Sequence, residues 1–119
     1  MVMTKVKLTV KNPFDLKKKA EGEFLVDTGA HYTVVPYDMV KKLGLKPAFE
    51  QEFSVADGRI VKRNVGSAFI RYKDKEGATM VVLGGKKDDP LLGVTTLESF
   101  GLMIDPFTRQ IYKSKLMLA

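Results

Sequence analysis

The run Phe24-Leu25-Val26 stops at Asp27-Thr28-Gly29-Ala30, and that ending constrains the chain more than any other stretch. Three consecutive apolar residues read as a strand that enters a core. The chain must then turn at once, and Gly29 allows a positive φ or the close approach of another backbone. A carboxylate carried to the end of a buried strand, beside a small hydroxyl residue and a glycine, suits acid/base chemistry. The same residues also suit an ordinary strand-ending turn whose Asp caps its own backbone. The rest of the chain bears on which reading holds.

With 119 residues, the chain has the length of one domain with a real core. Hydrophobic residues at 45% and charged residues at 29% mark it as globular rather than disordered. No apolar run approaches the roughly 20 residues of a membrane span, and Met1-Val2-Met3-Thr4-Lys5 lacks the apolar centre of a secretory signal. There is no Cys, which rules out disulfides and thiolate metal sites and is compatible with a cytoplasmic location. His31 is the sole His, so a zinc site or a Ser-His-Asp triad is a poor candidate. We expect neither metal nor cofactor. The net charge of +6 raises nucleic acid or an acidic membrane as partners. The lysines and arginines fall in dispersed groups, at Lys17-Lys18-Lys19, Lys41-Lys42, Arg59 with Lys62-Arg63, and Lys86-Lys87. None is interleaved with aromatics as a stacking platform would be. They read as solvated faces, and neither nucleic acid nor membrane is expected as a partner.

Val6, Leu8 and Val10 alternate with Lys5, Lys7, Thr9 and Lys11, the pattern of a half-buried strand. Asn12-Pro13 and the charged segment 15–19 read as a connection, and residues 21–26 as the second strand. Thr33-Val34-Val35 is a short third one. Pro36 suits the first position of a helix over 37–43 that Gly44 ends. Asp57-Gly58 between two β-rich runs is a hairpin signal, and the charged arms over 51–65 imply that this hairpin projects from the body. Residues 68–72 and 79–83 read as further strands, joined by a turn over 73–77. Leu91-Leu92-Gly93-Val94 is a short apolar strand. Thr95 and Glu98 have the spacing of a capping box for a short helix ended by Gly101. Residues 102–112 close with a last hairpin. The sum is mostly β, seven to nine short strands with two small helices.

Three features therefore stand in order: Asp27-Thr28-Gly29-Ala30 after an apolar strand, a protruding hairpin tipped by Ala56-Asp57-Gly58, and Leu91-Leu92-Gly93 leading into a helix. In these features the chain resembles the retropepsin-like aspartic proteases, the single-lobe enzymes of retroviruses with cellular relatives. The resemblance covers residues 5–113. It implies one domain over 1–119 with a single-lobe closed β-barrel, the acid protease fold, and one or two short helices. It also implies an aspartic endopeptidase working on extended polypeptides. Because one lobe supplies one carboxylate, it implies a homodimer in which two Asp27 side chains share a proton and activate water. The implied catalytic residues are Asp27, Thr28 and Gly29, with Thr28 bonding across the dimer. Ala30, His31, Ala56, Asp57 and Gly58 are implied to meet substrate, the last three as a flap tip.

The viral enzymes typically carry an acid after the Ala and an Arg after the later Gly. Here those positions hold His31 and Val94. Both members of that pair are replaced, so neither leaves an orphan charge. The replacements leave room for a second expectation, a catalytically silent module of the same fold that binds peptide or dimerises.

Overall fold

The computed structural model describes residues 4–118. Strand β1 (Lys5–Asn12) and strand β2 (Asp15–Val26) form an antiparallel hairpin in which Lys5 faces Leu25 and Val10 faces Ala20. The alternation in β1 works as expected, with Leu8 and Val10 fully buried. The charged 15–19 segment, in contrast, is strand and not connection. The turn is only Pro13-Phe14, and Asn12 fixes it by accepting the Phe14 N–H at its Oδ1 (2.8 Å). This end of β2 is exposed on both faces, so it carries no alternation from which a strand could be read.

Strand β3 (Thr33–Val35) leads into helix α1 (Tyr37–Leu43). Pro36 is the residue just before the helix, extended at ψ 151°. Gly44 ends the helix in the left-handed region at φ 64° and donates its N–H to the Lys41 carbonyl, a stop that a glycine makes without a Cβ penalty. Strands β4 (Pro47–Ser54) and β5 (Ile60–Tyr72) are the projecting hairpin, and β5 continues into the body to pair with β6 (Lys75–Leu83) across the two-residue turn Lys73-Asp74. Next come β7 (Leu91–Leu92), helix α2 (Val94–Ser99), and a separate hairpin of β8 (Leu102–Ile104) and β9 (Ile111–Lys113).

The strand order β1-β2-β7-β3-β6-β5 returns to β1 through Val10 opposite Ile70. The sheet therefore closes on itself as a small barrel, and closure removes most edges. Strand β4 hangs outside the ring on β5. One edge of β5 serves two partners in succession, β4 up to Gly66 and β1 from Phe69. At the changeover a Cβ on Gly66 would stand 2.4 Å from the Lys46 carbonyl oxygen, so only glycine fits there. Gly66 thus admits a crossing backbone, and pairing to β6 runs through it without a break. Leu8, Val10, Phe24, Val35, Ile70, Val81 and Leu92 fill the core, joined by Leu43 of α1 and Leu97 of α2.

Candidate active site

The turn after β2 is held from below and behind by one short stretch of chain. Strand β7 runs parallel to β2, and its flanks take the last donors of that strand. Leu25 N–H reaches the Pro90 carbonyl (3.0 Å) and Asp27 N–H reaches the Leu92 carbonyl (3.1 Å). The turn then closes on itself. Ala30 N–H donates to the Asp27 carbonyl (3.1 Å), and Gly29 N–H donates to Asp27 Oδ1 (2.9 Å). The carboxylate is thus oriented by its own loop. Asp27 is half-buried, while Thr28 and Gly29 are exposed.

Helix α2 secures the far side of the turn. Its first N–H groups need acceptors from outside the helix. Val94 N–H donates to the Ala30 carbonyl and Thr95 N–H to the His31 carbonyl, both at 3.0 Å. That arrangement replaces the expected capping box. Gly93 is the residue preceding the helix, no side chain caps it, and Thr95 lies inside it. The hydroxyl that matters belongs to Thr96, which is buried and lies 2.6 Å from the buried Thr33 hydroxyl on β3. Thr33 Oγ1 also accepts the Gly93 N–H (3.0 Å). A Cβ on Gly93 would stand 2.3 Å from the Tyr32 carbonyl carbon and 2.8 Å from the Thr33 nitrogen. Strand β7 and α2 can therefore lie against the segment leaving the turn only because residue 93 is glycine.

The hairpin of β4 and β5 ends in a three-residue loop, Ala56-Asp57-Gly58. Val55 N–H bonds the Arg59 carbonyl, and Gly58 N–H bonds the Val55 carbonyl, both at 2.9 Å. Gly58 takes φ 88°, as the last residue of such a loop does. Asp57 is spent within the tip, accepting the Arg59 N–H (3.0 Å) and pairing with the Arg59 side chain (2.7 Å). All three tip residues are exposed. The face of the hairpin that looks toward the turn is set by Phe53, whose ring meets Tyr32 edge-on at 6.1 Å between centroids. Tyr32 in turn packs edge-on against His31 at 4.8 Å. Val55 follows β4 two residues after Phe53, and Val61 lies opposite Phe53 on β5, so this face is apolar near the tip.

Farther down the hairpin, Arg63 pairs with Asp88 in the loop that precedes β7 (2.5 and 3.0 Å). The Arg63 guanidinium, helped by the Gly85 N–H, holds the Asp88 carboxyl below its ordinary range. This pair ties the base of the hairpin to the loop feeding the Asp27 support.

The family model described as aspartyl protease matches residues 6–96. The chain belongs to the aspartyl protease family. Among solved structures, this family member is similar to the EIAV protease, determined with a bound inhibitor. That similarity has a TM-score of 0.65 and 16% identity, over 98% of this chain and 94% of that one. It is also similar to a retropepsin-like aspartic protease from Rickettsia conorii, with TM-score 0.51 and 20% identity, over 88% of this chain and 89% of that one. Both likenesses establish the retropepsin fold. No curated protein sequence matches the chain.

In this aspartyl protease family member, Asp27, Thr28, Gly29, Ala30 and His31 form one turn, buttressed by Leu92, Gly93 and α2. Ala56, Asp57 and Gly58 sit together at the hairpin tip, and the link between tip and turn is made by Phe53 and Tyr32. Sequence reasoning passed over Tyr32, Phe53 and the Thr33–Thr96 pair. An aromatic between the Asp27 turn and the β-branched run Thr33-Val34-Val35 was a visible signal for Tyr32. The threonine pair joins positions far apart in sequence and left none.

Proposed function

We propose that the chain is an aspartic endopeptidase whose active site forms when two copies meet with Asp27 facing Asp27. The observation that carries this reading is the turn itself: one carboxylate, oriented by Gly29 N–H and braced by β7 and α2, at a surface where Thr28 and Gly29 are exposed. Two surface concavities of the single chain, about 410 Å³ beside Thr4 and Tyr72 and about 370 Å³ beside Tyr37 and Lys86, both leave Asp27 out. In this reading the catalytic cleft lies between two chains. Exposed apolar residues near the C-terminus, Met103, Tyr112, Leu116 and Met117, offer a surface for the second copy.

In the dimer the two carboxylates cannot both ionise easily and share one proton. The ionised Asp27 takes a proton from a water as its oxygen attacks the scissile carbonyl carbon. The protonated Asp27 of the other copy gives its proton to the carbonyl oxygen. Collapse of the tetrahedral adduct breaks the C–N bond, with a proton delivered to the leaving nitrogen. Thr28, whose hydroxyl has no partner within the described residues, would bond across the two-fold axis. Gly29, Ala30 and His31 would flank the substrate backbone. Phe53, Val55 and the Ala56-Asp57-Gly58 tip would cover the substrate and exclude water. No metal or cofactor enters this scheme.

The test is hydrolysis of an unfolded polypeptide at mildly acidic pH, blocked by a statine-type inhibitor and abolished by Asp27→Asn. Cleavage that survives the substitution refutes the reading. The silent-module alternative predicts peptide binding without turnover, indifferent to Asp27→Asn.

A further inference from the structure

The fold gathers two lysine clusters that the sequence keeps apart. Asn12, at the end of β1, donates from Nδ2 to the Leu43 carbonyl (2.9 Å) and the Gly44 carbonyl (3.3 Å) at the end of α1. This pins the β1–β2 turn to the helix C-terminus. Lys18 Nζ lies 3.5 Å from where a Cβ on Gly44 would be. Lys18, on the Leu16 face of β2, therefore meets the Lys41 and Lys42 end of α1, Lys46 follows two residues after Gly44, and Lys17 and Lys19 flank the same end from the opposite face of the strand. All six are exposed. Among the described residues none of them forms an ion pair; the lysine pairs are Lys7 with Glu21 and Lys11 with Glu76. Lys41 leans over the Tyr37 ring. Asp15, the first residue of β2, accepts the Lys17 N–H (3.3 Å), and Asp38 lies one helical turn back from Lys41 and Lys42 without pairing to either.

Two apolar side chains stand in this positive field. Phe14 is 89% exposed and Leu16 is 53% exposed. A phenylalanine held in water by a rigid turn, with a leucine beside it and lysines around it, has the chemistry of an interfacial anchor. Nothing in the patch favours nucleic acid. It contains no Arg for bidentate phosphate contacts, and its exposed ring, Phe14, has the aliphatic Leu16 beside it rather than a second ring to complete a stacking platform. Lysine ammoniums are compact point charges on flexible stems, without a fixed hydrogen-bond fork, and suit a field of mobile anionic headgroups. The patch also lies at the opposite end of β2 from Asp27, so docking leaves the turn open.

We propose that the β1–β2 tip docks on an anionic lipid bilayer, with Phe14 and Leu16 entering the headgroup boundary and the lysines facing lipid phosphates. This goes beyond the proteolytic reading and does not depend on it. It also departs from the expectation of no membrane partner, which took the lysines as dispersed.

The test is co-sedimentation of the full chain with phosphatidylcholine vesicles, with and without phosphatidylserine. Binding should require phosphatidylserine and fall about tenfold or more between low and roughly 0.3 M salt. Phe14→Ser combined with Leu16→Ser should weaken it about fivefold or more with an unchanged circular dichroism spectrum. Lys18→Glu with Lys42→Glu should abolish it. Equal binding to neutral vesicles, no binding to anionic ones, or undiminished binding by the Phe14/Leu16 variant overturns the proposal. Tighter binding to a short DNA duplex than to anionic vesicles at the same salt overturns it as well.

Discussion

Removing the Thr33 hydroxyl should cost more than removing its partner's, and removing both should cost no more than removing Thr33 alone. Thr33 and Thr96 are both 0% exposed, with hydroxyls 2.6 Å apart, and Thr33 Oγ1 accepts the Gly93 N–H at 3.0 Å. Thr33→Val keeps the shape but orphans two buried groups, the Gly93 N–H and the Thr96 hydroxyl. Each orphan costs about 1–3 kcal/mol, so the loss should be about 3 kcal/mol. Thr96→Val leaves Thr33 its Gly93 donor and should cost about half as much. The double variant orphans only the Gly93 N–H, so its cost should undercut the sum of the singles by about 1–3 kcal/mol. Urea unfolding reads this directly, because a slope of about 1–3 kcal/mol per molar turns the Thr33→Val loss into a midpoint shift of about 1–3 M. Protein concentration must be matched throughout, since dimerisation would feed into apparent stability. Equal costs for the two single variants, or a strictly additive double variant, would refute the picture of Thr33 as the shared partner.

Gly93→Ala places a Cβ 2.3 Å from the Tyr32 carbonyl carbon, a backbone atom that cannot swing aside; the variant should lose about 3 kcal/mol or more in urea unfolding, whereas Gly58→Ala, at an open tip, should lose only the cost of its positive φ. Asp88→Asn should alter the acid limb of the stability curve. The Asp88 pKa is lowered from 3.8 by the hydrogen bond from Arg63, so its contribution is whole above that ordinary value and is lost as pH falls through the lowered one. The Asn variant should be less stable than wild type near neutrality, and the difference should vanish in strong acid; a difference independent of pH would contradict this.

What the sequence made legible depended on whether a residue's neighbours in space were also its neighbours in the chain. The alternation of Val6, Leu8 and Val10, the apolar approach to Asp27, and the stop at Gly44 are local signals, and the structure follows each of them. The first half of β2 was missed because a hairpin arm exposed on both faces carries no hydrophobic period. The capping box failed for a different reason. The N-terminal N–H groups of α2 find better acceptors in the Ala30 and His31 carbonyls, and the threonine hydroxyl that is used, that of Thr96, serves Thr33. The Asp27 turn was legible as a candidate site. Its buttress was legible only as a segment, Leu91-Leu92-Gly93, without the contacts that make Gly93 obligatory. The contact of Tyr32 with Phe53 and the merging of the lysine clusters are products of barrel closure and hairpin placement, which no window of sequence contains.

The most direct test of a site shared between two copies is a titration of active wild-type chain with the Asp27→Asn variant, followed by cleavage of a fluorogenic peptide. If each dimer needs both carboxylates, mixed dimers are dead, and random exchange with an equal amount of variant should cut activity per wild-type chain to about half, falling further with excess. Activity that stays proportional to the wild-type chain, however much variant is added under conditions where subunits exchange, would contradict the account.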